Sequence, residues 1–511
     1  MSSAVGDLST RQLVMLWGVL TAALILRTLC LDWGLPPTDP ITASSGIRSS
    51  YAFDESSALH GLTQTNPSAG DIDPRRYVWG TFHLQVVLAT LEIAEAIGVF
   101  REPWRQSFLE MTPGGFERVY IVSRLPSAAI DVLTVFLVYL LGRRLAGISV
   151  GLWAGAIYAV APGAIVHAAQ LRVDVSATML ITLACLLALN PNRVFSLGVV
   201  AGLAISAKYS VAPIAMAVVA WRLWHRFSRR DLVSVGFGTG VGFLIGEPVI
   251  LTNGVEVFRQ VATQLGHNSN TPDEMRIPAG SLMVQVLHGL ARFSLTIPVA
   301  MLSALGLWRL ARRIGGFEGW LVPIAVAVGL LSILPLNWPL MRYHLPVVPL
   351  CTVAAGLAIA SVRRSEAVGV FALVVALAGS IAQIQYMLAP HTANSAISML
   401  HKVARPGGEV ARIMPELPPL PVDLYPMGPN PLLDDLRPTR PEWVILTDLP
   451  VVDYPQGNLD FLAENYQRIA VFRGRRVLWW ATLGERHSPH DWKYTHPELI
   501  IYRRNDNTTG Q

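Results

Sequence analysis

Two adjacent carboxylates, Asp54 and Glu55, are the first residues whose type and spacing suggest chemistry. They lie soon after the first long apolar stretch, directly before the helix-like segment SSALHGLTQ. A carboxylate in such a place can act as a general base that removes a proton from an acceptor hydroxyl. The simpler interpretation is an acidic pair that stabilises a helix N-terminus, where negative charge is favoured. For the pair taken alone, both interpretations stay open.

A second polar group, His167, Arg172 and Asp174, lies in HAAQLRVDVS between two apolar stretches. An isolated segment of this kind is usually a polar turn. Four more cations border apolar segments or lie near the first acidic pair: Arg75, Arg76, Lys208 and Arg342. Snorkelling toward the membrane surface explains any one of them. A phosphate headgroup explains the whole set more economically, because guanidinium and ammonium groups bind phosphate oxygens well.

The elements that position these residues are predicted to be membrane helices. The 511-residue chain is 52% hydrophobic and 15% charged, whereas a soluble domain usually carries about 25% charged residues. A spanning helix needs about 20 apolar residues. The candidate spans, about eleven in number, are 12–31, 119–141, 147–165, 174–189, 194–208, 210–224, 232–251, 292–309, 318–336, 343–361 and 366–388. The sequence thus predicts a mainly α-helical polytopic bundle in contact with membrane lipids.

Arginine clusters predict which side each loop faces, because positive charge collects on the cytoplasmic side of membrane proteins. The clusters lie at 143–144, 193, 222–230, 309–313 and 363–364. This bias places two large loops, about 32–118 and 252–291, on the outside. It places Arg172, Lys208 and Arg342 on the same side as Asp54. The stretch 78–98 contains Glu92 and Glu95, which are costly at the bilayer centre. A crossing there would also turn every later cluster outward, so we expect a helix lying on the outer face.

The chain is predicted to divide into a membrane domain, 1–388, and a small external α/β domain, 389–511, where proline and charge increase. The predicted elements of the second domain are a helix at 459–466 and strands at 443–446, 468–472, 477–480 and 499–502. The three cysteines fall in apolar stretches, which argues against an external disulfide framework. Aromatic residues do not interleave with basic runs, so nucleic acid is not an expected partner.

Two further polar residues are predicted to have structural roles. Glu247 precedes a proline and is interpreted as a helix-end residue, although an ionisable membrane residue is also a functional candidate. His267 is interpreted as a loop hydrogen-bonding group. The histidines show no metal-ligand spacing.

Several segments resemble the C-type glycosyltransferase (GT-C) superfamily, and within it the protein O-mannosyltransferase and lipid A aminoarabinose transferase branch. These segments are FDESSALHGL, SRLPSAAIDVLTVFLVYLLGRRL, APGAIVHAAQLRVDVSATMLITLACLLAL, GLAISAKYS, GEPVILTN and MRYHLPVVPL. The tail segments PEWVILTD, FLAENYQRIAVF and HPELIIYRR are similar to the external domain of bacterial relatives. The usual HPP-like or YPP-like run is replaced by Tyr77-Val78-Trp79.

The resemblance implies a role for each candidate. Asp54 would be the catalytic base, with Glu55 beside it, and Asp174 would help to place substrates. The residues assigned to substrate binding are Arg172, Lys208, Arg342, Arg75, Arg76 and His167. Some superfamily members use a divalent cation, and Asp54, Glu55 and Asp174 could share one through oxygen ligands, but no cofactor is required by the sequence.

The activity implied by the resemblance is inverting transfer of a sugar from a polyprenyl-phosphate donor at the outer or periplasmic face of the plasma (inner) membrane. The acceptor stays open: a protein, a lipid or a glycan. The alternative is a transporter or flippase of a lipid-linked substrate, but such proteins tend to show duplicated halves, which this sequence lacks. A non-catalytic assembly subunit is a third possibility, and it would not need carboxylates and cations gathered on one face.

Overall fold

The computed structural model describes residues 8–35, 50–106, 108, 110–225, 228–269, 279–313, 316–336, 340–405, 407–412, 428–431, 434–447, 454–474 and 496–505. These ranges are mainly helical, with a small sheet near the C-terminus. The predicted strand at 477–480 lies outside the described residues.

Nineteen α-helices occur in the described residues. The first ten are α1 (Thr10–Thr28), α2 (Phe53–Thr63), α3 (Phe82–Ala96), α4 (Pro113–Ala146), α5 (Ile148–Ala159), α6 (Pro162–Ala168), α7 (Val173–Ala188), α8 (Val194–Ala207), α9 (Ala212–His225) and α10 (Arg229–Gly246). The others are α11 (Ile250–Ser269), α12 (Ala279–Gly289), α13 (Ile297–Arg313), α14 (Leu321–Leu331), α15 (Val348–Ala360), α16 (Ser365–Leu388), α17 (Thr392–Val403), α18 (Leu436–Thr439) and α19 (Gln456–Asn465).

The apolar helices differ in length. Within the described ranges, four helices are long and apolar enough to cross a membrane, and the number rises to seven if each bent helix pair counts as one span. Shorter apolar helices lie at 173–188, 194–207, 209–224 and 317–331. Every predicted span overlaps one of these helices or pairs. The chain is therefore an integral membrane protein, while the count of about eleven spans stays a prediction. The 15-residue α3 is shorter than the roughly 20 residues that a crossing needs.

Two sharp bends shape the second large loop. The chain turns by 87° between α10 and α11, and by 116° between the segment ending at Ser294 and α13. Pro248 lies at the first bend, where its missing N–H favours a break. The sequence led us to expect a polar loop at 252–291, but α11 and α12 occupy much of it. The helix α11 is amphipathic and exposes Leu251, Val255 and Phe258.

Glycines bring α8 and α10 into backbone contact. A Cβ at Gly202 would lie 2.1 Å from the carbonyl oxygen of Thr239, and one at Gly242 would lie 2.0 Å from that of Val199. Small residues allow this close approach of membrane helices. The contact fixes the ends of both helices at one level, so that Lys208 after α8 and Glu247 after α10 lie at the same end of the pair.

The C-terminal sheet has the strand order β1-β2-β4-β3, with β1 (Val410–Ala411), β2 (Trp443–Thr447), β3 (Tyr466–Phe472) and β4 (Leu499–Arg504). The strand β1 pairs parallel to β2, and the other pairs are antiparallel. The predicted strands at 443–446, 468–472 and 499–502 and the helix at 459–466 are confirmed to within a few residues. The helix α17, which the sequence analysis did not anticipate, covers the sheet through Ala396, Ile397 and Leu400.

A stack of aromatic rings joins this C-terminal region to the start of α2. Tyr51 stacks on His391 with 4.1 Å between ring centroids, and His391 stacks on His496 at 5.1 Å. The Tyr386 hydroxyl donates to the carbonyl of His496 at 3.1 Å. The stack therefore connects α16, the tail and the turn that leads into Asp54.

Candidate active site

Asp54 lies in the first turn of α2 and accepts hydrogen bonds from two arginines. Arg172 Nη1 donates to Asp54 Oδ2 at 2.5 Å, and Arg342 Nη1 donates to the same oxygen. The carboxylate is 31% exposed, so it faces a solvent-accessible space. The sequence placed these three residues on one side of the membrane bundle, and the structure brings them into direct contact.

Arg172 is held rigidly at the N-terminus of α7. Its Nε donates to Gln170 Oε1 at 2.8 Å, and its backbone N–H donates to Ser127 Oγ at 3.2 Å. The side chain is 6% exposed. Because both the backbone and the side chain are fixed, the guanidinium group has a defined orientation toward Asp54.

A second ion pair lies deeper in the same site. Lys208, at the end of α8, donates from Nζ to Asp174 Oδ1 in the first turn of α7. Lys208 Nζ also lies 4.6 Å from the ring centroid of Tyr343, which favours the charged ammonium. Both members of the pair are buried, so helix ends separated in sequence are tied together at the floor of the site.

These ion pairs line one cavity of about 250 Å³. Its wall is formed by Asp54, Ala58, Val78, Trp79, Leu171, Arg172, Val173, Asp174, Lys208, Tyr209, Ser210, Val261, Gln264, Arg342 and Tyr343. Among the described residues of the lining there are three cations and two carboxylates, which leaves one excess positive charge. Such a cavity suits an anionic ligand with apolar or ring-shaped parts.

The electrostatics of Asp54 follow from its surroundings. Burial raises the pKa of the Asp54 carboxyl, but the charges of Arg342 and Arg172 outweigh burial and hold the pKa well below its ordinary value. Asp54 is therefore ionised at neutral pH and able to accept a proton. Its tight pairing also makes it a weak base as long as both arginines stay in contact.

Glu55 points to a different side of α2, into the protein. It is fully buried and forms an ion pair with Arg124 at 2.6 Å. Ser50 Oγ donates to it at 2.6 Å and the Leu171 backbone N–H at 2.7 Å. Glu55 does not line the cavity, so its contacts join the first loop to α4 and to the start of α7.

The other predicted binding residues lie outside the cavity lining. Arg75 is half exposed and pairs with Asp71 at 2.5 Å. The Arg76 guanidinium carbon lies 5.7 Å from the ring centroid of Trp79. Trp79 lines the cavity and Arg76 does not. His167 is buried within α6.

His83 supports the site from α3. It is buried, its Nδ1 lies 2.7 Å from Ser176 Oγ, and its Nε2 lies 3.3 Å from Ser127 Oγ. Burial lowers the pKa of His83 to about 4, so the ring is neutral at physiological pH. Because Ser127 also binds the backbone of Arg172, His83 connects α3 to the N-terminus of α7.

Glu247 is a buried carboxylate behind the cavity. Its Oε2 accepts the Thr81 backbone N–H at 2.8 Å at the N-terminus of α3, which agrees with the helix-end interpretation in part. The hydroxyl of Tyr209, which lines the cavity, lies next to the same carboxyl. The side chain of His267 lies outside the described part of the chain. No group of three or more His, Cys, Asp or Glu side chains able to hold a metal ion occurs in the described ranges.

The chain is similar to known proteins in both sequence and structure. Residues 116–251 match the family described as dolichyl-phosphate-mannose-protein mannosyltransferase. The structure is similar to ArnT from Cupriavidus metallidurans in the apo state, with a TM-score of 0.51 and 13% identity over 95% of this chain and 97% of ArnT. The chain has a GT-C fold. The resemblance inferred from the sequence motifs is thereby confirmed.

Other similar structures have lower scores. ArnT from the same organism bound to undecaprenyl phosphate is matched with a TM-score of 0.48 and 12% identity, over 98% of this chain and 99% of ArnT. The oligosaccharyltransferase AglB from Archaeoglobus fulgidus, in complex with an inhibitory peptide and a dolichol-phosphate, gives 0.44 and 12% identity over 92% and 74%. No curated protein matches the sequence significantly.

Within this GT-C fold, sequence reasoning missed several residues that build the site. Tyr343, Gln170 and Ser127 contact the cations of the cavity, but only Tyr343 gave a usable signal, because it adjoins Arg342 in MRYHLPVVPL. Arg124 was also missed as the partner of Glu55. An arginine in the middle of an apolar helix is costly unless it is paired, and that rule would have predicted a buried acidic partner for it.

Proposed function

We propose that this chain is a glycosyltransferase that moves a sugar from a polyprenyl-phosphate donor to an acceptor hydroxyl at the outer face of the membrane. The observation that carries the proposal is the meeting of Asp54 with Arg172, Arg342 and Lys208 in one cavity. A proton acceptor and phosphate-binding cations are the two elements that this reaction needs. The matched family and the GT-C fold support the transferase class.

The reaction is a single displacement. Asp54 removes the proton from the acceptor hydroxyl, whose oxygen forms a bond to the anomeric carbon of the donor sugar. The bond between that carbon and the phosphate oxygen breaks, and its electron pair leaves with the polyprenyl phosphate. The proton ends on Asp54, and the leaving phosphate gains one negative charge. Attack opposite the leaving group inverts the anomeric carbon.

The cations stabilise the charge that develops on the leaving phosphate. Preorganised donors aimed at a developing charge usually contribute more to such catalysis than any other effect. Arg342 and Lys208 both lie near the ring of Tyr343, and we assign them to the phosphate. Arg172 is assigned to hold Asp54 in place. Asp174 is assigned to orient Lys208.

The donor chemistry agrees with what the relatives bind. The description of the matched family names a dolichyl-phosphate-mannose donor. ArnT binds undecaprenyl phosphate in one of its structures. We infer that the donor here is a polyprenyl-phosphate sugar. The arginine clusters favour an external active site in the plasma membrane, with the C-terminal domain on the same side.

The test is a transfer assay with the full-length chain purified in nanodiscs. Polyprenyl-phosphate sugars carrying different labelled sugars are supplied with membrane extracts as acceptors, and the products are identified by mass spectrometry. We expect one labelled sugar to become covalently attached to an acceptor, and Asp54→Ala to lower the rate by about 10³-fold, within the usual range for a general base. Asp54→Ala should still show a cooperative thermal unfolding transition, which demonstrates that the variant is folded.

The same assay separates the transferase from a transporter. Near-normal transfer by Asp54→Ala would contradict the assignment of the base. Movement of the intact lipid-linked sugar across reconstituted vesicles, without any covalent product, would contradict transfer itself and favour the transporter.

A further inference from the structure

The contact between Asp54 and the two arginines limits proton uptake by the carboxylate and phosphate binding by the arginines. A carboxylate that accepts from two guanidinium groups is stabilised in its ionised form and takes up a proton poorly. Each Nη1 group that donates to Asp54 Oδ2 is also a donor that a phosphate oxygen would need. The proposed base and the proposed donor phosphate therefore compete for the same cations.

The two arginines are not held equally. Arg172 is anchored by Gln170 and Ser127 and is 6% exposed. Arg342 is 17% exposed and lies on the short 3₁₀ segment Met341–Val347, with its guanidinium carbon 5.7 Å from the centroid of the Tyr343 ring. A planar guanidinium group can turn over an aromatic face and exchange one oxyanion for another. Arg342 is thus the cation that can change partner with the smaller rearrangement.

We propose that the donor phosphate takes Arg342 away from Asp54, so that donor binding itself makes Asp54 a competent base. This inference rests on the proposed function and adds a regulatory step to it. The number of ion pairs is conserved, because the Arg342–carboxylate contact is replaced by an Arg342–phosphate contact. Asp54 keeps Arg172, and Lys208 keeps Asp174. The acceptor is then deprotonated only when the sugar is in place.

The exchange predicts an unusual effect on binding. If Asp54 competes with the phosphate for Arg342, removing its charge should tighten phosphate binding, although the same change abolishes transfer. A carboxylate that merely lines the cavity would not have this effect beyond the general loss of one negative charge. A matched control for that general loss is Asp71→Asn, which removes a charge from the same loop. Asp71 contacts Arg75 and the backbone N–H of Asp73, and neither of these residues lines the cavity.

The experiment measures binding of undecaprenyl phosphate to the full-length chain in phosphatidylethanolamine nanodiscs, with inorganic phosphate as a second probe. We expect Asp54→Asn to bind undecaprenyl phosphate about tenfold more tightly than the wild type, at the low end of couplings for close charge pairs. Asp71→Asn should change the affinity by less than about twofold, as exposed ion pairs do. The variants should have the same order of affinity for inorganic phosphate. Each affinity should be much lower, because inorganic phosphate lacks the polyprenyl chain.

A double-mutant cycle identifies the exchanged cation. Arg342→Gln should weaken binding, and Asp54→Asn should give no further gain in the Arg342→Gln background, because neighbouring groups are not additive. Equal or weaker binding by Asp54→Asn, with the wild type still binding, would overturn the exchange and leave the proposed function intact. A gain that persists without Arg342 would also overturn it. Failure of every variant to bind the lipid would contradict the proposed function.

Discussion

Asp54 and Glu55 are adjacent in the first turn of α2, but their side chains lie in two different environments. Asp54 is 31% exposed and shares its oxygen with two arginines at the cavity wall. Glu55 is fully buried with Arg124, Ser50 and the Leu171 backbone N–H. Successive residues on a helix point about 100° apart, so adjacent acids face different environments. The cavity carboxylate is available for chemistry, whereas the buried one joins parts of the scaffold.

The largest effect that would test this comparison is a loss of stability on the buried side. Glu55→Ala leaves Arg124 buried without its counter-charge, which typically costs about 3–5 kcal/mol. We expect a marked fall in the thermal unfolding midpoint of the purified protein. The fall should be smaller for Asp54→Ala, because Asp54 is 31% exposed and the cavity gives water access to Arg172 and Arg342. The double variant Glu55→Met/Arg124→Met should recover much of the loss. A Glu55→Ala protein with normal stability would contradict the structural role assigned to Glu55.

A smaller effect is expected from the deeper ion pair of the cavity. Lys208→Met removes a cation assigned to the leaving phosphate and should lower the transfer rate by about 10²-fold, as loss of one electrostatic donor usually does. The loss should appear mainly in kcat. Lys208→Arg, which keeps the charge, should retain more activity than Lys208→Met. Equal activity of the two variants would show that the charge at position 208 is not needed.

The smallest expected effect is a shift in pH dependence. The pKa of Asp54 is held well below its ordinary value by Arg342 and Arg172, despite burial, and Lys208 and Tyr343 also face it. A depressed pKa keeps the carboxylate ionised as the pH falls, so kcat/KM for the donor should show no acidic limb from Asp54 above about pH 4. If Arg342 moves to the phosphate, the pKa rises in the complex.

The acidic limb of kcat, which reports the complex, should then lie at higher pH than that of kcat/KM. Full pH–rate profiles for wild type and Arg342→Gln check this. In Arg342→Gln the two limbs should move together, because the exchange is lost. Coincident limbs in the wild type would argue against any change in the surroundings of Asp54.

The sequence was sufficient for most of the architecture. Every predicted apolar span overlaps a helix, because a membrane crossing requires a long apolar segment. The bends within or beside 147–165, 232–251 and 292–309 were not anticipated. The strands at 443–446 and 499–502 were readable from their runs of branched and aromatic residues. The helices α11 and α12 were not anticipated, since a mixed polar composition is typical of both an interfacial helix and a loop.

The site was predictable only in part. Charges at membrane-helix ends are rare enough that Lys208, Arg172 and Arg342 stood out, and the structure brings them together around one cavity. Residue type alone did not separate Asp54 from Glu55, because their roles depend on which way each side chain points. Arg75 presented the same problem: its partner Asp71 is only four residues away, but residue type did not distinguish this local ion pair from a ligand-binding cation.

The ring stack of Tyr51, His391 and His496 has a consequence for how the molecule can be rebuilt. Tyr51 lies three positions before the proposed base, so the C-terminal region supports the turn that carries it. Grafting a tail from another member of this fold would displace that turn unless the complementary rings travelled with it. The tail and the first loop should therefore be inherited, exchanged and engineered as a single unit.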